Sequence, residues 1–469
     1  MIKLTKNIIF FIFIFAAQIF ANENNMEQAI KDITEANVIL PPYFIVLPFI
    51  ILLLMIATGP IFYHHFWEQH YPKISIILGA ITVFYYTFIL NDYYSLSHTL
   101  AEYISFIALL SSLYFASAGI LININRQFTP KYNVGLLLFG AIIANIIGTT
   151  GASVLLIRPF IRINKNRIKT YHIIFFIFVV SNIGGALTPI GDPPLFLGFL
   201  RGVDFFWFIK NLWVMWILAL GLILTIFYIV DSRNNKINNS TLILKGKIEI
   251  KGLKNILYLF IIILSVFIDP NIISWVPSLY PLPFGLRETI MFFVVFLAIT
   301  TADKQILEAN EFKYEPIKEV AYLFIGIFAT MIPALQLIAY ESKVLGDSLN
   351  AGVFYWATGG LSGFLDNAPT FLNFLAAQLA KYGYDIGSKS DVNLYSISYP
   401  IYLQAISIAA VFFGAMTYIG NGPNFMVKSI SESAGIKMPS FFEYMFKYSI
   451  PVLLPIFTII YFIFFYGKG

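Results

Sequence analysis

Gly185-Ala186-Leu187-Thr188-Pro189-Ile190-Gly191-Asp192-Pro193-Pro194-Leu195-Phe196 is repeated 229 residues later as Gly414-Ala415-Met416-Thr417-Tyr418-Ile419-Gly420-Asn421-Gly422-Pro423-Asn424-Phe425, with seven of twelve positions identical. Each copy lies in an apolar segment long enough to cross a bilayer, yet carries Gly and Pro where a continuous helix would run. A break there frees backbone N–H and C=O groups that lipid cannot satisfy, so it must be lined by protein or by a water-filled cavity. Matching interrupted helices in two halves of a chain are the mark of a carrier's central site.

The composition agrees. Apolar residues are 58% of the 469 and charged residues 12%, with net charge +5; mean hydropathy is +0.78. The apolar runs exceed the roughly 18 residues that suggest a spanning helix. They fall at about 43–62, 74–90, 103–122, 134–157, 171–200, 209–230, 255–269, 288–301, 320–340, 352–380, 398–430 and 448–466. The expected fold is an all-α polytopic membrane protein. Zero cysteines exclude disulfides and thiolate chemistry, and no basic stripe suggests nucleic acid.

At the N-terminus, Lys3 and Lys6 precede the apolar run Ile8–Phe15, and Ala21 precedes the polar Asn22–Asn25. This predicts a signal peptide over 1–21, with an uncleaved first helix as the alternative. Residues 22–42 would then be extracytoplasmic.

Loop charges predict which segments cross. Arg126 and Lys131 flank 134–157 on one side, and Arg158, Arg162, Lys165, Arg167 and Lys169 on the other. Basic residues favour the cytoplasm, so both ends face it and the segment is a re-entrant hairpin. Its middle, Asn145-Ile-Ile-Gly148-Thr149-Thr150-Gly151-Ala152-Ser153, suits a turn. The counterpart 352–380 has flanks of mixed charge and a tip at Ser362 to Thr370, and is expected to enter from outside. Glu102 and Glu319 open spans 217 residues apart, and Thr150 and Asp366 would mark tips 216 apart. Two inverted units follow, 102–230 and 319–466, each with a hairpin and a broken helix. Scaffold helices occupy 43–101, and 231–318 connects the units with two more.

The chemistry-bearing residues are few. Asp192 before Pro193 and Asp366 before Pro369 each fit a helix N-cap, and each also fits an ion or proton ligand, since membrane-embedded acids usually serve one. Asp366 has no acid opposite it in the first hairpin. It is therefore the expected group alternating between cation and proton, with Asp192 secondary because its repeat partner is Asn421. Thr149, Thr150, Ser153, Asn182, Thr188, Asn367, Thr417, Asn421 and Asn424 supply neutral oxygens or cavity lining; Asp366, Asn367 and Asp192 are the expected Na⁺ ligands. His64, His65 and His70 are expected at the interface, and His98 and His172 in loops or at helix ends. No catalytic constellation is visible.

The two hairpins, the Thr188-Pro-Ile-Gly-Asp192 break and the Leu361-to-Pro369 tip with Asp366-Asn367 resemble the ion transporter superfamily, in particular NhaD-type sodium/proton antiporters and a bacterial subgroup of citrate transporters. The resemblance implies a homodimer in the bacterial inner membrane with a mid-membrane site and no cofactor beyond Na⁺ and H⁺ as transported or coupling ions. One departure is that Asp192 runs into Pro193-Pro194 where NhaD-like breaks continue into a hydroxyl-rich turn. The expected function is sodium/proton antiport, weighed against Na⁺- or H⁺-coupled citrate or dicarboxylate transport and, remotely, a membrane enzyme or structural subunit.

Overall fold

The computed structural model describes residues 41–468 apart from 125–128, 238–247, 270–272, 274–275, 277–283 and 346–348. The expected signal peptide lies outside the described residues, as does all but the end of segment 22–42.

The helices in chain order are α1 (Leu47–Phe62), α2 (His64–Tyr85), α3 (Tyr93–Ala118), α4 (Pro130–Ile163), α5 (Thr170–Val179), α6 (Pro193–Arg201), α7 (Phe205–Ile237), α8 (Leu253–Val266), α9 (Leu286–Thr300) and α10 (Lys304–Ala309). They continue with α11 (Glu315–Leu345), α12 (Ala351–Ser362), α13 (Asn367–Lys381), α14 (Lys389–Ser398), α15 (Pro400–Phe413), α16 (Gly422–Ser433) and α17 (Ile450–Phe464). Two short strands, β1 (Leu121–Ile124) and β2 (Ile248–Lys251), pair antiparallel with Leu121 opposite Lys251.

Among the described residues, seven helical stretches are long and apolar enough to cross a membrane, or up to eight with the pair α14–α15, which is bent by 101°. One of the seven, α4, does not run straight. Gly148 has φ 78 and ψ 154, outside any helix and in a region where only Gly is at ease. The chain reverses there: Asn133 and Asn164 exchange side-chain amide hydrogen bonds of 2.9 Å in both directions. In a continuous helix these residues would stand about 45 Å apart. The arms also interlock, since a Cβ on Gly140 would sit 3.2 Å from Leu156 Cδ1. So α4 is a helical hairpin, as the basic flanks predict. α12 and α13 form a second hairpin, closed at its base where Lys381 Nζ donates to Leu349 O (2.6 Å).

The apolar run 171–200 is likewise not one helix. α5 ends at Val179, the chain crosses a single tight turn at Ile183–Gly185, and helix resumes only at Pro193. In the second copy α15 ends at Phe413, a turn covers Gly414–Met416, and α16 starts at Gly422.

Polar bonds gather at two ends of the bundle. At one, Asn310 Nδ2 donates to Ala118 O and Ile120 O, and Asn255 Nδ2 donates to Gly119 O. Arg162 reaches Asn123 and Ala309 O, Arg158 pairs with Glu311, and Thr170 Oγ1 donates to Lys437 O. Both ends of the first hairpin are here, amid Lys131, Arg167, Lys169, Lys251 and Lys254. At the other end Arg201 pairs with Glu102, Arg287 with Asp269, and Trp207 Nε1 donates to Ser396 O. The base of the second hairpin leads into this end through α14, where Lys389 packs on Gly202.

His172 stands at a helix end, in the first turn of α5; it is fully buried, with Nε2 3.0 Å from Asp231 Oδ1. Asp231 also accepts from Asn133, Tyr171 and Arg167. A buried carboxylate needs such a set of donors, and this one fastens the base of the first hairpin to α7.

Candidate functional site

The two breaks are built alike. In the first, Thr188 Oγ1 donates to Asn145 O on the near arm of the hairpin (2.5 Å) and accepts from Gly191 N (3.1 Å). In the second, Thr417 Oγ1 donates to Gly363 O in the other hairpin's turn (2.7 Å) and accepts from Gly420 N (3.2 Å). Each threonine thus satisfies groups the missing helix turn leaves free and fixes the break to its hairpin. Glycine is required in both: a Cβ on Gly191 would meet Gly185 O at 2.1 Å, and one on Gly420 would meet Gly414 O at 2.7 Å.

On this frame four segments converge on one side chain, Asp192, which is 1% exposed. Thr149 Oγ1 from the first tip donates to Oδ1 (2.7 Å). Asn421 Nδ2 from the second break also donates to Oδ1 (2.9 Å), and Asn367 Nδ2 from the second tip to Oδ2 (2.6 Å). All three donors are neutral, and no Lys or Arg bonds to Asp192 among the described residues. The expected cap is absent: Asp192 makes no side-chain cap bond to its own helix. With prolines at the first two positions of α6, the nearest helix donors, Leu195 N and Phe196 N, bond to the Asp192 carbonyl instead.

A second layer locks the two breaks together. Asn182 Nδ2 donates to Ile177 O (2.8 Å) and to Asn424 Oδ1 (2.7 Å). Asn424 Nδ2 in turn donates to Gly414 O (2.8 Å) and Thr417 O (2.9 Å). Asn421 also reaches Ser181 O (3.1 Å), and Ser181 Oγ pairs with Ser153 Oγ (2.8 Å). Among the residues of these two layers, the buried oxygens Asn182 Oδ1 and Asn367 Oδ1 have no hydrogen-bond partner. Both amides stand at Gly414, where a Cβ would come within 3.1 Å of Asn182 Oδ1 and 3.4 Å of Asn367 Nδ2. An unpaired buried acceptor costs about 1–3 kcal/mol, which a hard cation or a water would offset.

Of the expected residues, Thr149, Asp192, Asn367 and Asn421 form the hub. Asn182, Ser153 and Asn424 lie in the layer behind it, and Thr188 and Thr417 brace the breaks. Thr150 makes no hydrogen bond to Asp192; with it, Tyr114 and Phe106, it lines a small cavity. Asp366 stays outside. It caps α13 through Ala368 N (3.0 Å) and makes no hydrogen bond to Asp192. The tip residues that bond Asp192 are therefore Thr149 and Asn367, and not Thr150 and Asp366. Ser181 and Asn145 were not singled out as site residues by the sequence; the visible signal for Ser181 is a polar Ser-Asn pair inside an apolar run.

Two helical hairpins meeting two interrupted helices at a buried polar hub, among helices long and apolar enough to cross a bilayer, mark a multi-pass membrane protein. The family model described as "Putative citrate transport" matches residues 39–465, and the chain belongs to that family. No curated protein matches this sequence.

Proposed function

We propose that the chain is a secondary active transporter in which Asp192 binds the coupling Na⁺ or H⁺ and the transported solute is a di- or tricarboxylate. The observation that carries the coupling role is the convergence of Thr149, Asn367 and Asn421, from three other segments, on a buried carboxylate with no cationic partner. Family membership over 39–465 supports the carboxylate. This moves the function from the sodium/proton exchange favoured by the sequence to its alternative, and the coupling group from Asp366 to Asp192.

The chemistry links the two solutes. An ionised Asp192 repels a carboxylate brought beside it, and in a poorly screened interior that repulsion is severe. A cation or proton on Asp192 removes it, so anion binding waits on cation binding. The architecture proposed is two inverted units. Breaks match at a spacing of 229 and tips at 218, the first hairpin opens to the basic end of the bundle, and the second opens to the opposite end. The basic end is the cytoplasmic one by its loop charges.

Sodium/proton antiport remains the second reading, favoured by the absence of any Lys or Arg bonded at the hub. Reconstituted protein separates them. Uptake of labelled citrate driven by a Na⁺ or pH gradient supports the first; dissipation of a pH gradient by Na⁺ or Li⁺ without citrate uptake replaces it with the second.

A further inference from the structure

α6 and α16 follow the two breaks and match at the same spacing, so Phe196, Leu197, Leu200 and Arg201 correspond to Phe425, Met426, Ser429 and Ile430. Their surroundings differ. Phe196 and Leu197 are 2% exposed and Leu200 7%, and Phe196 borders the same small cavity as Phe106 and Leu109 of α3. In α16, Gly422 and Ser429 are exposed, and Phe425, Met426 and Ile430 are only half-buried. A Cβ on Gly422 would meet no atom within 4 Å. One post-break helix is closed against its neighbour and the other is open.

The closed one is fastened at its far end. Arg201 Nη2 donates to Glu102 Oε2 on α3 (2.6 Å), Nε stands 2.6 Å from the other carboxylate oxygen, and both residues are buried. Nη1 reaches Ile386 O (3.4 Å), and His98 Nδ1 lies 3.9 Å from Glu102. The open half lacks this fastening. Glu319, which stands on α11 as Glu102 does on α3, makes no hydrogen bond or ion pair among the described residues, and Ile430 replaces Arg201.

We infer that the Arg201–Glu102 pair is a conformational latch that holds the carrier closed at the end away from the basic loops and open beside α16 at the basic end. The inference rests on the carrier reading. A charge-assisted Arg–carboxylate hydrogen bond resists separation, and separating the pair while buried strands two charges. Opening the closed end means moving α6 off α3, which requires this pair to part. The latch therefore sets the population of the two states, and only one half of the molecule has it.

The chain has no cysteine, so single cysteines report accessibility directly. Ser429→Cys should react with a membrane-impermeant maleimide added from the cytoplasmic side, and Leu200→Cys should resist it from either side. Adding Glu102→Gln with Arg201→Gln, which removes both charges together, should slow labelling of Ser429→Cys by about fivefold or more, a usual size for coupling between states. The same pair should expose Leu200→Cys to reagent from the opposite side. Arg201→Lys, which keeps the charge and loses the fork, should give an intermediate shift and serves if the double variant does not fold. Unchanged labelling of both reporters in folded Glu102→Gln/Arg201→Gln or Arg201→Lys protein overturns the latch. Failure to transport citrate or exchange cations would instead overturn the carrier reading, because the labelling needs no substrate.

Discussion

The two breaks share a backbone and differ in charge. Thr188 and Thr417 make the same pair of bonds, and Gly191 and Gly420 press on Gly185 and Gly414 in the same way. Yet the residue after the second glycine is Asp192 in one and Asn421 in the other, and the tips present Thr149 and Asn367. The frame is duplicated, whereas the carboxylate is single and the second copy donates to it. A duplicated frame builds the hub; the difference between the copies puts one titratable group, the proposed cation or proton ligand, at its centre. Breaking or exchanging that difference should therefore cost more than weakening the parts the halves have in common.

The largest effect is expected from Asp192→Asn. The amide has no negative charge, and its NH₂ would face three donors, so coupled transport in proteoliposomes should fall at least about 100-fold while the protein remains folded. The exchange variant, Asp192→Asn with Asn421→Asp, sharpens the comparison. Because the two side chains already touch at 2.9 Å, moving the charge across that bond should restore part of the activity. A dead exchange variant would mean that position, and not charge alone, sets coupling. Full transport by Asp192→Asn would remove Asp192 from the mechanism.

Next in size are the donors. Thr149→Val and Asn367→Ala each delete one hydrogen bond to a carboxylate, worth about 1.5–3 kcal/mol. The apparent affinity for the coupling ion should weaken by about 10- to 100-fold, read from the Na⁺ or H⁺ dependence of uptake. Asn367→Ala should be the more severe, because it also removes the unpaired Oδ1. Equal loss in both would indicate that only the bonds to Asp192 matter.

Much of the frame was legible because its signals are local. Gly and Pro inside apolar runs mark the breaks, and basic residues on both flanks of 134–157 mark a hairpin whose ends Asn133 and Asn164 now join. The site was less legible because it depends on register. Pairing the tips as Thr150 with Asp366 puts the acid opposite the first tip; the bonds pair Thr149 with Asn367 and leave Gly148 opposite Asp366. The mismatch is two residues in sequence, and each residue turns a helix by about 100°, enough to aim a side chain away from the hub. The Asp231–His172 cluster was hidden for another reason: its members come from segments about 60 residues apart, and pairing at that distance leaves no periodic trace.

A smaller and symmetric effect is expected from the braces. Thr188→Val and Thr417→Val each leave a break carbonyl partner and a glycine N–H without the hydroxyl, at a cost of about 1–3 kcal/mol. Thermal unfolding in detergent should drop by similar amounts in both. If only one matters, the two frames do not carry equal load.

The smallest effect is expected at Asp366, the acid the sequence alone marks most strongly. Its carboxylate accepts from Ala368 N and from no other described donor, while its backbone oxygen accepts from Thr370 Oγ1 (2.8 Å). Those are the bonds of a helix cap. Asn ranks with Asp as a cap, whereas Ala lacks the acceptor and costs about 1 kcal/mol. Asp366→Asn should therefore transport within about twofold of the parent, and Asp366→Ala should lose about 1 kcal/mol of stability with coupling intact. The side chain next to it, Asn367, turns into the hub and bonds Asp192 at 2.6 Å, so a one-residue step along α13 separates a cap from a ligand. If folded Asp366→Asn loses gradient-driven uptake as completely as Asp192→Asn does, the tip must turn during transport so that Asp366 reaches the hub. The coupling charge would then be shared between the halves, and the contrast between one acidic and one neutral copy would hold for this conformation only.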